Sequence, residues 1–273
     1  MKYLVIGSGG QIGAPLVEFL EEKGHEVFGF DVVNGSQFDL RTKNDLLYDV
    51  MAQADFVFFL ACDVGGSRYL AKYQHTFDFI HNNVQILENV FEALHTLQKP
   101  FIYASSQMSN MTYSPYGLIK SLGELYTRQL NGLVVKFWNV YGPEKDLEKA
   151  HVITDFILKA KHTGVIDMLT DGTEVRQFLH AKDCSRCLET LSHKYSEIPR
   201  DQELHITNFE WNSILDVAAE INNCFPDAQI TPSSKKDMVQ RDKRNEPDSF
   251  ILKYWKPEIS LAEGIKDMVR HCG

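Results

Sequence analysis

The stretch Tyr3-Leu-Val-Ile-Gly-Ser-Gly-Gly-Gln-Ile-Gly13 decides the fold. Four apolar residues form a short buried strand, and glycines follow at 7, 10 and 13. Apolar residues at helical spacing then run from about Gln11 to Lys23. Glycines between a strand and a helix permit a tight turn. They also let backbone N–H groups approach a pyrophosphate at the positive end of the helix. Gly7, Gly10, Gln11, Ile12 and Gly13 are therefore the first candidate ligand contacts.

Working outward, His25–Phe30 reads as a second strand that delivers Asp31 at its end. A carboxylate there accepts ribose hydroxyls and repels a 2′-phosphate. Residues 32–36 hold no Arg or Lys, so NAD is expected over NADP, with Arg41 the one nearby cation. Helix and strand signals then alternate: a helix near 43–52, a strand at 55–60, a helix at 77–96, a strand at 100–104, a helix from Pro115 and a strand at 133–138. That rhythm predicts an α/β fold with a Rossmann-type, doubly wound parallel sheet.

After Tyr141-Gly-Pro143 the texture changes to helices at 148–162, 182–193 and 213–224 among short strands. The expected organisation is a dinucleotide-binding domain over 1–142 and a smaller mixed α/β substrate domain over 143–273. Part of 165–210 is free to return to the first domain. Ser233–Asp248 reads as a surface loop or lid.

A net charge of −9 argues against a nucleic-acid surface. No apolar run reaches the roughly 18–20 residues of a membrane helix, and the N-terminus reads as a strand, not a signal peptide. A cytoplasmic protein is expected. Cys184 and Cys187 form a C-x-x-C pair without a second ligand pair, so they read as buried helix residues and no metal is expected.

Tyr116-Gly-Leu-Ile-Lys120 places a phenol and an ammonium on one helix face. A nearby cation favours the phenolate, so this spacing predicts a proton shuttle with a lowered tyrosine pKa.

With these residues in hand, the chain resembles the extended short-chain dehydrogenase/reductase superfamily, specifically its NAD-dependent nucleotide-sugar epimerases and dehydratases. Phe38-Asp-Leu-Arg41 is similar to the adenine-contacting element, which implies Asp39 and Leu40. Leu60-Ala61 matches the turn after the third strand. Asn139-Val-Tyr-Gly-Pro143 resembles the motif whose asparagine touches the sugar diphosphate. Asp171 to Asp183 resembles the segment whose arginine, here Arg176, pairs with the nucleotide diphosphate, and Arg244 with Glu246-Pro-Asp248 resembles the late element of that pocket. The resemblance implies Ser106 as the third catalytic residue beside Tyr116 and Lys120, with Ser105 as fallback.

Departures narrow the implied chemistry. Dehydratases of the family carry Asp-Glu after the serine or threonine, and 3,5-epimerases carry a cysteine at the second of those positions. This chain has Gln107 and Met108. Ala61-Cys-Asp-Val-Gly-Gly66 nonetheless resembles the sugar loop of GDP-mannose 3,5-epimerases and GDP-fucose synthases. There Gly65 and Gly66 either let backbone approach the sugar or serve loop flexibility.

The implied activity is NAD-dependent epimerisation of a nucleotide-diphosphate sugar by reversible hydride transfer, most simply at C4. One alternative is an NAD(H)-dependent 4-dehydrogenase or 4-ketoreductase. The other is a non-catalytic dinucleotide sensor. Relatives pack the 77–96 and Tyr116 helices into an intersubunit bundle, which implies a homodimer; Phe79, Ile86, Leu118, Leu122 and Leu125 suit such a face or equally burial against the sheet.

Overall fold

Alternation along the first strand builds two cores at once. In this computed structural model, which describes residues 1–144, 146, 148–237 and 245–271, Tyr3 and Val5 point to one face of a sheet and Leu4 and Ile6 to the other. All four side chains are fully buried. A strand covered on both faces needs apolar residues at consecutive positions, which is why Tyr3–Ile6 reads as a run.

The main sheet has six strands: β1 (Lys2–Ile6), β2 (Glu26–Phe30), β3 (Phe56–Phe59), β4 (Phe101–Ser106), β5 (Leu133–Phe137) and a last strand, Leu204–Ile206. From one edge the order is β2, β1, β3, β4, β5, Leu204–Ile206. Every pairing is parallel. The chain leaves β1 toward β2 and then returns to the other side of β1 as β3. The order reverses there, and at such a switch point the loops diverge and open a crevice at the carboxyl ends of the strands.

One face is covered by α1 (Gly13–Glu22), which supplies Leu16 and Leu20 to its core. The other carries α2 (Asp45–Gln53), α4 (Phe77–Leu97) and α5 (Pro115–Gln129), with the short α3 (Ser67–Tyr73) after the β3 loop. A third core joins α6 (Val152–Thr163), α8 (Ile214–Asn222) and α9 (Leu261–His271). The remaining helix, α7 (Ala181–His193), packs beside α1, and the last strand pairs with β5.

Phe79 and Ile86, which the sequence left open between an intersubunit face and the sheet, are buried in the chain's own second core. Their positions on α4 face the sheet because α4 crosses it with Leu87, Val90 and Leu94 on the same side. Leu118, Leu122 and Leu125 of α5 do remain exposed, and Phe77 and Ile80 of α4 with them. The expected loop at 233–248 is described only at its two ends. Cys184 and Cys187 are fully buried free thiols in the α1–α7 core.

Asp183 fastens the third layer to the sheet. Its fully buried carboxylate accepts the backbone N–H groups of Glu258 (3.0 Å) and Ile259 (2.8 Å) and pairs with Arg186. Removing it deprives two part-buried N–H groups of their acceptor and leaves Arg186 its pairing with Glu258, so Asp183→Ala is expected to cost about 1–3 kcal/mol. A denaturant titration of the two proteins checks this; an unchanged midpoint would show that the brace contributes nothing.

Candidate active site

The motif residues converge because they all leave the carboxyl edge of the parallel sheet. Gly7 follows β1, Leu60 and Ala61 follow β3, Ser106 ends β4, and Asn139 follows β5. At Gly7 the backbone is left-handed (φ 92°), and a Cβ there would lie 2.6 Å from the Ala61 nitrogen. A Cβ at Gly13 would lie 2.0 Å from the Gly7 carbonyl oxygen. The first and third glycines are thus fixed by sterics.

Asp31 is tied to the same turn. Its carboxylate accepts N–H of Gly9 at 2.9 Å and N–H of Val33 at 3.1 Å, leaving further lone pairs for a ligand's hydroxyls. The Ser8 hydroxyl and the Gln11 side-chain nitrogen are buried there and find no hydrogen-bond partner among the described residues. Buried polar groups ordinarily have partners. A turn that keeps two donors aimed inward beside bare backbone fits an anionic dinucleotide.

Arg41, the cation that could have served a 2′-phosphate, is gripped by Asp39 through Nε–Oδ1 (2.9 Å) and Nη2–Oδ2 (2.7 Å). That grip holds the Asp39 carboxyl below its usual range. Leu40 is buried, and its carbonyl accepts a hydrogen bond from Asn89.

The helix that carries Tyr116 and Lys120 is set by Ser114 and Pro115. Ser114 caps α5 by accepting N–H of Gly117 at 3.2 Å, and it donates to Gln74. Proline is pre-organised for the first helical position. At Gly117 a Cβ would meet the Met108 carbonyl oxygen at 2.3 Å, so the helix start lies directly on the turn that follows β4. There Ser106 accepts N–H of Met108 and lies close enough to the Tyr116 phenol to draw its pKa down. Ser105 points elsewhere and donates to Glu124 at 2.6 Å, which removes it as the fallback.

The expected lowering of the tyrosine pKa is not what this arrangement gives. Burial raises the Tyr116 pKa first, the Cys62 thiol adds to the rise, and only the Ser106 hydrogen bond opposes it. Lys120 is the reason. Its buried ammonium donates to the Ala104 carbonyl at 2.7 Å and sits 5.8 Å from the Tyr116 ring centre and 5.4 Å from that of Tyr103. It addresses ring faces and a strand carbonyl, not the phenol oxygen.

Around this centre the structure adds residues that the motifs did not single out. Asn83, buried on α4, accepts the Cys62 thiol (3.1 Å) and the Asp63 N–H (2.8 Å) and donates to the Asp63 carbonyl. A polar residue within the apolar stripe of α4 was the available signal. Asp63 also binds Tyr69 (2.8 Å) and Lys149 (3.0 Å). Cβ atoms at Gly65 and Gly66 would collide with Tyr69, Lys149 and Ala150, so packing of the chain on itself accounts for both glycines.

The remaining substrate candidates are spread outward. Gln107 is buried, and both its carbonyls accept from Asn245. Asn139 donates to the Gln177 carbonyl. Arg176, mostly buried, pairs with Asp237 and donates to the Val175 carbonyl. Arg244 lies outside the described residues. No helix among the described residues is long and apolar enough to cross a membrane.

Comparison with known proteins agrees with this geometry. Residues 3–206 match the model of the NAD dependent epimerase/dehydratase family. The chain belongs to that family. A GDP-L-fucose synthase of Sinorhizobium fredii (strain NGR234) is 24% identical over 297 residues, covering 96% of this chain and 92% of its own. A GDP-mannose 3,5-epimerase of Oryza sativa subsp. indica is 25% identical over 312 residues, covering 97% and 80%. Among solved structures, an epimerase from Methanothermobacter thermautotrophicus superposes with a TM-score of 0.85 at 19% identity, covering 98% of this chain and 91% of that one. The protein is thus an NAD-dependent enzyme of the extended short-chain dehydrogenase/reductase type. Its glycine turn, Asp31 and the two inward donors are the residues that fit the cofactor.

Asp31→Ala removes the candidate ribose acceptor and also frees the N–H groups of Gly9 and Val33. It is expected to weaken NAD binding by at least about tenfold, the effect of one lost charge-assisted hydrogen bond. Fluorescence titration with NADH and NADPH checks this, and tighter NADPH binding by the native protein would overturn the assigned preference.

Proposed function

We propose that this enzyme epimerises a nucleotide-diphosphate sugar by reversible oxidation of one secondary alcohol, at C4 of an NDP-hexose. The carrying observation is the Ser106 hydroxyl placed beside the Tyr116 phenol on a turn whose next two residues, Gln107 and Met108, supply no acid or base. Gln107 is moreover held by Asn245, which fixes it as a wall of the site. A site with one titratable hydroxyl can deprotonate an alcohol and reprotonate a ketone. Gln107 and Met108 do not supply the second group that dehydration or C3/C5 enolisation needs.

The roles follow from the contacts. Ser106 orients the reacting sugar oxygen, and the Tyr116 phenol removes its proton and later returns it. When bound, NAD supplies the reversible two-electron acceptor. Lys120 holds the floor of the site by bridging β4 and α5. Arg176 and Asn139 contact the diphosphate, with Arg244 as a further contributor. The exposed Leu118, Leu122 and Leu125, with Phe77 and Ile80 alongside, support a homodimer through α4 and α5.

A one-way reductase is the second reading, favoured by the length over which the GDP-L-fucose synthase matches. Purified protein incubated with UDP- and GDP-hexoses, with no cofactor added, separates the two. An epimer formed without net NADH is expected; turnover that requires stoichiometric NAD(P)H would replace the epimerase reading with the reductase.

The raised phenol pKa has a kinetic sign. Tyr116 acts as base only when deprotonated, so kcat/KM for sugar oxidation should climb about tenfold per pH unit through neutrality. Tyr116→Phe should lower turnover by roughly 10²–10⁴ and abolish the slope. A flat profile between pH 6 and 9 would remove Tyr116 as the titrating base.

A further inference from the structure

At the edge of the sheet opposite the active site, where β1 and β2 begin, α7 approaches the turn between α1 and β2. We propose that His25, Glu189 and His193 form a binding site there for a divalent transition-metal ion of the zinc class. Glu189 and His193 are four residues apart on α7 and share a face. His25 meets them from the α1–β2 turn. One potential ligand atom from each of the three lies within 4.8 Å of the other two.

The distances suit a shared ion better than direct bonding. His25 Nε2 stands 3.4 Å from Glu189 Oε1, beyond the usual length of a charge-assisted hydrogen bond. Two ligands on a tetrahedral zinc with bonds of about 2.0–2.1 Å are about 3.3–3.4 Å apart. The side chains of His25 and Glu189 are only 17% and 15% exposed, so the pair is partly shielded from water. His193 is exposed and closes the set from the solvent side.

Ligand type selects the ion. Two imidazoles and one carboxylate suit zinc, cobalt or nickel, whereas calcium and magnesium take all-oxygen sets. The Tyr3 hydroxyl borders the cluster, 3.3 Å from His193 Nε2 and 2.9 Å from Ser192 Oγ. An ion here clips His25 to Glu189 across 164 residues of chain. Cross-links that close long loops restrict the unfolded chain most, so the site is structural and independent of turnover.

The test uses the full chain without an affinity tag, stripped by chelator and titrated with Zn²⁺ by calorimetry. Co²⁺ serves as the spectroscopic probe. One equivalent binding tighter than about 10 μM is expected, with a rise in Tm of roughly 5 °C at a hundredfold excess over Kd. His193→Ala changes an exposed residue and Glu189→Gln keeps the side-chain shape. Each should weaken binding by more than about tenfold and erase the visible cobalt bands, with the metal-free Tm unchanged. Wild-type binding weaker than about 10 μM, or wild-type affinity retained in His193→Ala, overturns the site.

Discussion

A methyl group at residue 7 would lie 2.6 Å from the backbone nitrogen of Ala61, and the site depends on there being none. Two parallel neighbours, β1 and β3, end side by side although some fifty residues separate them in the chain. Only a bare backbone lets the turn after one strand pass under the turn after the other. From that approach the rest follows in register. The β3 loop carries Cys62 and Asp63 onto Asn83, and β4, one strand further, carries Ser106 to the same edge. Strand alternation then makes the choice between two adjacent serines. Ser105 turns to Glu124 and Ser106 to Tyr116, and a one-residue slip would exchange them.

The second constraint is how closely α5 lies on β4. A Cβ at Gly123 would enter the Tyr103 ring, as one at Gly117 would enter the Met108 carbonyl. This contact allows Lys120 to be buried, since an ammonium taken from water is costly unless it is hydrogen-bonded. The Ala104 carbonyl and two tyrosine ring faces supply that compensation. The same burial raises the phenol pKa. A site built to exclude water and hold a lysine against a strand therefore protonates its tyrosine, and a positive charge brought in with the cofactor would act in the opposite direction.

Most of the sheet was legible because buried parallel strands announce themselves. Tyr3–Ile6, Phe56–Phe59 and the strand before Ser106 are apolar runs bounded by polar turns. Glycine positions were legible for a similar reason, as no other residue tolerates the space. What the sequence did not carry was direction. The i, i+4 spacing put Lys120 and Tyr116 on one face but could not say that the ammonium would be satisfied by Ala104. Helical periodicity marked Phe79 and Ile86 as apolar without saying which of two apolar surfaces they face. Gly65 and Gly66 looked like room left for a ligand, and the room is taken by Tyr69 and Lys149. Long-range pairs such as Asp63–Lys149 and Arg176–Asp237 have no local signature at all.

On the proposed function, the Arg176–Asp237 pair shows how an acidic chain can hold a phosphate-binding fork ready. Arg176 is mostly buried, so a guanidinium there without an anion would be strongly unfavourable. In a protein of net charge −9 the compensating anion comes from the chain itself, as the Asp237 carboxylate. On the proposed function a sugar diphosphate exchanges with that carboxylate. The fork is then hydrogen-bonded before and after binding, and the ligand gains only the difference between two anions. Two phosphates present more acceptor oxygens and more charge than one carboxylate, so the exchange favours the diphosphate over a single phosphate or a neutral sugar. Selectivity for a diphosphate thus arises from the competitor already in place as much as from the arginine.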